Sequence, residues 1–218
     1  MKMFDRAAVA PILADGIKGL ALDLDAGQQA RLLDYLALLC KWNAVYNLTS
    51  VRDPLQMVTH HLLDSLAAVP SFAHAANVLD VGAGGGLPGI VLAIARPAMQ
   101  VALIDTVHKK TAFLKQVKAE LELNNVMVYT GKVQQLRALQ PFDVITSRAF
   151  ADLSDFVEWS GHLLADGGQF IALKGVAPPD EQERLPVPWK VSKLQALQVP
   201  GLNAERHLVF IEKSIKTE

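Results

Sequence analysis

The spacing of apolar positions changes near residue 75. Before that point, apolar residues recur at helical intervals. Leu32, Leu36 and Leu39 fall on one helical face, with Tyr35, Leu38 and Trp42 on another. A helix apolar on two faces packs on two sides. Asp25, with Gln28 three residues on, forms a capping-box start. Asp53-Pro54 is a second start, with a capping carboxylate and a proline at the first helical position. Val58, Leu62, Leu66 and Val69 supply the buried stripe of that helix, and Pro70 ends it. Residues 1–75 therefore read as an N-terminal helical extension, and 76–218 as a second region forming one compact unit with it.

From residue 76 the pattern alternates between short strands and helices. Val78–Val81, Val101–Ile104, Val126–Tyr129, Asp143–Ser147 and Gln169–Leu173 are the expected strands. Helices are expected over Pro88–Arg96, from about Val107 to Leu123, and near Ser154–Leu164, with a turn at Asp166-Gly167-Gly168. Runs of Val, Ile and Leu without clean alternation fit strands buried on both faces of a parallel sheet. Prolines then multiply at Pro178, Pro179, Pro186 and Pro188, before a last strand at His207–Glu212 and another at Trp189–Ser192. Two late strands with no helix between them suggest an edge hairpin. The expected fold is α/β: a doubly wound, mostly parallel seven-stranded sheet with an antiparallel edge hairpin and the helical extension.

The chemistry concentrates in Asn77–Gly89, where the first strand runs into Gly82, Gly84, Gly85, Gly86 and Gly89. Glycines at a strand-to-helix turn let the backbone approach a ligand that a β-carbon would exclude. The helix start beyond them offers unpaired N–H groups. Gly84, Gly86 and Gly89 fit the dinucleotide spacing, and Asp105 lies about twenty residues on. Read from Gly82, with Asp80 just before it, the loop suits S-adenosylmethionine instead. That cofactor carries an amine and a sulfonium, which a carboxylate attracts, and no pyrophosphate, which a carboxylate repels. The edge hairpin points the same way. A tight turn with no ligand is the bland alternative.

In doubly wound sheets, ligands bind at the carboxyl ends of the strands. That rule selects Asp80 and the glycine loop, then Asp105, whose carboxylate can accept both ribose hydroxyls. It also selects Gly131 to Gln134, where an adenine edge would lie, Ser147 and Arg148 beside the transferable methyl, and Lys174 with Gly175. Each has an ordinary reading: Asp105 as a helix cap, Arg148 paired with Asp152, Lys174 as a surface lysine. Their coincidence on one rim favours function.

Composition limits the alternatives without choosing among them. The chain has 218 residues, 51% hydrophobic and 20% charged, which is globular rather than disordered. No apolar run approaches a membrane span, and charges at Asp5, Arg6 and Asp15 argue against a signal peptide. The single cysteine, Cys40, suits the cytoplasm and a small buried role. A net charge of −1 announces no nucleic-acid binder. Lys109, Lys110, Lys115 and Lys118 cluster locally, followed by Lys132, Arg137 and Arg148; lysines alone more often make a solvated helix face. His60, His61 and Asp64 have no third-ligand pattern for a metal. Trp42 and Tyr46 read as core residues sooner than as base-stacking ones.

Several segments together resemble one family. They are Lys41-Trp42-Asn43, Tyr46-Asn47-Leu48-Thr49-Ser50, His61-Leu62-Leu63-Asp64-Ser65, the loop Asp80 to Gly89, Ser147-Arg148-Ala149-Phe150, Ala172-Leu173-Lys174-Gly175 and Glu205-Arg206-His207-Leu208. The set is similar to the ribosomal small-subunit RNA methyltransferase G family, also called the glucose-inhibited division protein B family, over nearly the whole chain. The resemblance implies methylation of guanine N7 in 16S rRNA, near the decoding site, from S-adenosylmethionine. Its cofactor contacts carry over to Gly82, Leu87, Val133, Gln134 and Arg148, to which the rim adds Asp80, Gly84, Gly86 and Asp105. Family members often have glutamate where Gln134 stands; glutamine keeps hydrogen-bonding capacity at an adenine edge but brings no charge.

Guanine N7 has a free lone pair, so its methylation needs no general base, and catalysis is mostly positioning. Arg148 is the candidate catalytic residue, holding an RNA phosphate or guanine O6. Lys174, Arg206, Lys109 and Lys110 are candidates for RNA phosphates. The expected partners are 16S rRNA and the small ribosomal subunit, with no membrane and no metal, for a monomeric cytoplasmic protein. Two other classes stay open: a methyltransferase for a small molecule or protein, and an NAD-dependent oxidoreductase or nucleotide-binding module.

Overall fold

The computed structural model describes residues 3–148, 150, 152–176, 181 and 183–214. Pro178, Pro179 and Ala149 lie outside these. Helix α1 (Arg6–Gly19) starts at Asp5, whose carboxylate accepts the Ala7 N–H. Helix α2 (Ala26–Tyr46) starts with the expected capping box: Gln28 N–H donates to Asp25, and Asp25 N–H to the Gln28 side chain. Leu32, Leu36, Leu39 and Tyr35 are fully buried, so α2 does pack on two sides.

The helix expected after Asp53-Pro54 is broken into pieces. A short α3 (Pro54–Met57) gives way to a π-helical turn, Val58–Leu63, then α4 (Asp64–Leu66) and a 3₁₀ turn at Val69–Phe72. Val58, Leu62, Leu66 and Val69 are buried as expected. Pro70, however, sits within the 3₁₀ turn; the α-helix has already ended at Leu66. A π turn widens the backbone ring and shifts the side-chain phase, and such turns frequently mark functional sites. This one carries His60 and His61.

The sheet has seven strands: β1 (Asn77–Val81), β2 (Gln100–Asp105), β3 (Val126–Thr130), β4 (Phe142–Ser147), β5 (Leu164–Lys174), β6 (Trp189–Ala196) and β7 (His207–Lys213). Their order is β3-β2-β1-β4-β5-β7-β6. The first five are parallel; β7 then adds antiparallel to β5, and β6 antiparallel to β7. This is the mostly parallel sheet with an edge hairpin that the sequence pattern predicts. Between strands run α5 (Gly89–Ala95), α6 (His108–Glu120) and α7 (Leu153–Ser160). Strand β5 begins earlier than expected, at Leu164. The Asp166-Gly167-Gly168 turn lies inside its irregular pairing with β4, where Gly167 has φ +75°.

One apolar core runs without a break from Val9 in α1, through α2 and the Met57–Phe72 segment, to α5, α6 and one sheet face. A second core, with Phe156 and Phe170, fills the other face. The helical extension therefore packs onto the sheet through shared apolar contacts.

Candidate active site

The strand order reverses between β1 and β4, and two clefts lie along the carboxyl ends of the strands there. The first has a volume of about 530 Å³ and is bounded by Gly82, Asp105, Lys110, Val133, Gln134 and Trp159, among others. The second, of about 370 Å³, is bounded mainly by polar groups, including Thr49, His61, Asp64, Arg148, Lys174 and Arg206.

The glycine loop forms one wall of the first cleft. Gly82 N–H and Ala83 N–H both donate to Ile104 O, tying the loop to the end of β2. Gly82 has φ +70°, and no atom lies within 4 Å of the point a β-carbon would occupy. Its backbone is therefore open to a ligand. Gly86 needs glycine for packing: at φ +91°, a β-carbon there would lie 2.6 Å from Ile90 Cγ1. The loop is also held from below. The Tyr35 hydroxyl, buried in α2, donates to Gly85 O at 2.6 Å. Burial pushes the Tyr35 phenol well above its ordinary pKa, so it remains a donor. No local pattern links Tyr35 to a loop 50 residues away; its place on a helical face marks it only as core.

Asp80 is fully buried beneath the loop, so no part of it reaches a cleft surface. Its Oδ2 accepts the Gly89 N–H at 2.9 Å, at the start of α5, while Oδ1 has no hydrogen-bond partner among the described residues. Burial raises its pKa to about 7; the Gly89 hydrogen bond and the Arg148 charge oppose this only partly. The carboxylate expected beside a cofactor cation instead fixes the loop-to-helix junction.

Asp105 does line the first cleft, at the end of β2. Its carboxylate is engaged on three sides: it accepts Gly84 N–H at 3.0 Å and Val107 N–H at 2.9 Å, and faces Lys110 Nζ at 3.6 Å. It thus braces the loop and the entry to α6, while a carboxylate retains acceptor positions for a further donor. Lys110 belongs to this cleft, whereas Lys109 is exposed on α6. Val133 is buried and Gln134 exposed on a 3₁₀ turn after β3, and both line the cleft. Leu87 is buried within the loop.

Arg148 lines the second cleft with Lys174 and Arg206. It does not pair with Asp152, which pairs with Arg184. Its partner is Asp64, at 3.5 Å, and its Nη1 donates to His60 O at 3.3 Å. Arg206 Nε donates to the other Asp64 oxygen at 2.7 Å. Lys174 pairs with Glu181 at 2.8 Å. The Thr49 hydroxyl lies 2.8 Å from His61 Nε2, and Asn43 fixes the same turn by accepting Thr49 N–H and donating to Val51 O. Burial, aided by the Arg148 charge, lowers the His61 pKa to about 4, so the imidazole is neutral near pH 7. Among the described residues, no group of three or more His, Cys, Asp or Glu could hold a metal ion.

The geometry of the first cleft fits an adenosine-bearing cofactor. Its volume lies in the range of small-molecule sites, about 300–1,000 Å³. An open glycine backbone, a carboxylate at the end of β2 and an apolar wall with one amide at the end of β3 meet around it. Solved structures share the fold. An O-methyltransferase from Bacillus cereus, in complex with SAH, superposes with a TM-score of 0.58 at 19% identity, covering 96% of this chain and all of that one. TomG from Streptomyces achromogenes, an O-methyltransferase in complex with SAM, gives 0.59 at 15% identity, covering 97% and 100%. Sequence relatives are far nearer. The ribosomal RNA small subunit methyltransferase G of Janthinobacterium sp. (strain Marseille) is 67% identical over 99% of this chain and 100% of its own length. That of Herminiimonas arsenicoxydans is 68% identical over 98% and 100%. The family described as GidB, rRNA small subunit methyltransferase G, matches residues 28–209. With five-sixths of its length matched and such relatives end to end, this chain belongs to the rRNA small subunit methyltransferase G family.

Proposed function

We propose that this protein transfers a methyl group from S-adenosylmethionine to N7 of a guanine in 16S rRNA of the small ribosomal subunit. The observation that carries the reading is the match to small-subunit rRNA methyltransferases along the whole chain. The first cleft supports the cofactor. The Gly82 backbone is the open surface against which it would lie, Asp105 would receive the ribose, and Val133 with Gln134 would border the adenine. When bound, S-adenosylmethionine supplies an electrophilic methyl on a sulfonium.

The chain's own task is positional. Guanine N7 carries an in-plane lone pair, so no proton need be removed before attack. The residues must hold the base in line and keep water out, which contributes through orientation rather than acid–base chemistry. Arg148 stands where β4 ends, next to the switch point, and would hold guanine O6 or a neighbouring phosphate. Arg206 and Lys174 extend the same cationic wall. Lys109, exposed on α6, would meet RNA at the rim of the first cleft. Lys110, paired with Asp105, would serve the cofactor side instead. A ribosomal substrate means cytoplasmic action, and we take the acting species to be a monomer.

Equilibrium binding of S-adenosylmethionine and NAD, followed by transfer of labelled methyl to small-subunit particles, tests the reading. Binding of S-adenosylmethionine but not NAD, with label in the RNA fraction, is the expected result. Label in ribosomal protein, or none in RNA, would overturn the substrate assignment.

A further inference from the structure

Asp64 holds two arginines that are far apart in sequence. Its side chain is only 5% exposed, at the end of the π turn. Oδ1 accepts Arg206 Nε at 2.7 Å, and Oδ2 faces Arg148 Nη1 at 3.5 Å. Each guanidinium is tied down once more: Arg148 donates to His60 O, and Arg206 Nη1 to Glu205 O at 2.8 Å. Arg148 directly follows β4 and Arg206 directly precedes β7, and among the described residues only this carboxylate joins them. Neither Nη2 has a partner among the described residues.

The surroundings favour an anion. Arg148, Arg206 and Lys174 line one cleft with a single carboxylate, Asp64, and Glu181 pairs Lys174. His61 adds no charge, and its buried Nδ1 has no hydrogen-bond partner among the described residues. Planar guanidiniums held from behind present their remaining N–H groups as a fork suited to phosphate oxygens.

We infer that the second cleft seats a phosphodiester of the RNA strand beside the target base, and that Asp64 is the positioning residue that keeps Arg148 and Arg206 convergent for it. The inference rests on the RNA methyltransferase reading and adds to it the group recognised and the residue that arranges its recognition. Asp64 touches neither cofactor nor RNA; it acts through the two arginines.

The test exploits an opposition of signs. Asp64→Asn makes the cleft more positive, so charge alone predicts tighter RNA binding and a lower KM. Loss of positioning predicts the reverse. Methyl transfer to small-subunit particles is measured at a series of salt concentrations for wild type, Asp64→Asn, Arg206→Lys and the doubly neutralised Asp64→Asn/Arg206→Gln. The double variant leaves no unpaired buried carboxylate. The S-adenosylmethionine Kd of each variant reports an intact cofactor cleft. We expect a severalfold higher KM for Asp64→Asn with an unchanged S-adenosylmethionine Kd. The double variant should lose about 0.7 from the slope of log KM against log salt, the value for one single-strand phosphate contact. Arg206→Lys should keep the wild-type slope while raising KM, because charge survives and the fork does not. A lower or unchanged KM in Asp64→Asn, or an unchanged slope in the double variant, would overturn the inference. Failure of the wild type to label small-subunit RNA would overturn the underlying methyltransferase reading, and this inference with it.

Discussion

Gly82→Ala separates a ligand-facing glycine from one the fold needs. Gly82 has φ +70°, and an added β-carbon meets no atom within 4 Å. The folded chain therefore has room for alanine and bears only the strain of the left-handed backbone, roughly 1–2 kcal/mol. In a chain this long, each kcal/mol lowers Tm by roughly 2–4 °C, so thermal unfolding should move down by about 2–8 °C, still cooperative. The new methyl, however, stands on the wall of the first cleft. If the cofactor lies against that backbone, its affinity should fall by tenfold or more, equivalent to at least about 1.4 kcal/mol. Titration calorimetry with S-adenosylmethionine, alongside a thermal melt of the same sample, measures both quantities. An unchanged Kd in a folded Gly82→Ala protein would refute the placement of the cofactor. Collapse of the fold would refute the reading of open space.

Gly89→Ala should show the opposite balance. Its β-carbon would overlap Leu103 Cδ2 and stand 2.8 Å from Asp80 Oδ2, an overpacking that typically costs about 1–3 kcal/mol and should appear as a lower denaturation midpoint even without cofactor. Tyr35→Phe keeps the ring packed near Phe113 but strands Gly85 O; a loss of about 1–3 kcal/mol and weaker S-adenosylmethionine binding are expected, and an unchanged melt would show that the bond is not holding the loop. Asp80 gives a pH signature: its folded pKa, about 7 against 3.8 unperturbed, means that the folded chain keeps a proton the unfolded chain has released. Its contribution is fully present below about pH 4 and is lost as pH rises through about 7. His61, lowered to about 4, runs the other way: its contribution is present above about 6.5 and is lost as pH falls toward 4. The diagnostic is therefore the stability of wild type minus that of Asp80→Asn, which keeps an acceptor for Gly89 N–H; that difference should fall across pH 4–7, and a flat difference would show Asp80 titrating normally.

Much of the architecture was legible because its signals are local. Fully apolar runs such as Val101–Ile104 report a strand covered on both faces, and Asp25 with Gln28 reports a helix start wherever it occurs. The π turn at Val58–Leu63 was not legible. Its residues keep nearly helical spacing, and the extra backbone residue shows only when His61 and Asp64 pack against other segments. The β5 irregularity at Gly167 looked like a simple turn for a similar reason, since glycine permits both. At the site, strand ends picked out Asp105, Val133 and Gln134 because a parallel sheet exposes its carboxyl edge. Asp80 obeyed the same rule in position but not in orientation: alternation along β1 points it under the loop, where the Gly89 N–H meets it. The Asp64–Arg206 contact spans 142 positions, and no spacing rule reaches that far.

Methyl transfer from labelled S-adenosylmethionine to small-subunit particles from cells lacking this gene, followed by strand scission at 7-methylguanine, tests reaction, substrate and atom together. Incorporation into 16S rRNA and cleavage at a single guanine, both absent without the protein, are the expected result. Label with no scission would place the methyl on another atom, and no label from a protein that still binds S-adenosylmethionine would contradict the assignment to ribosomal RNA.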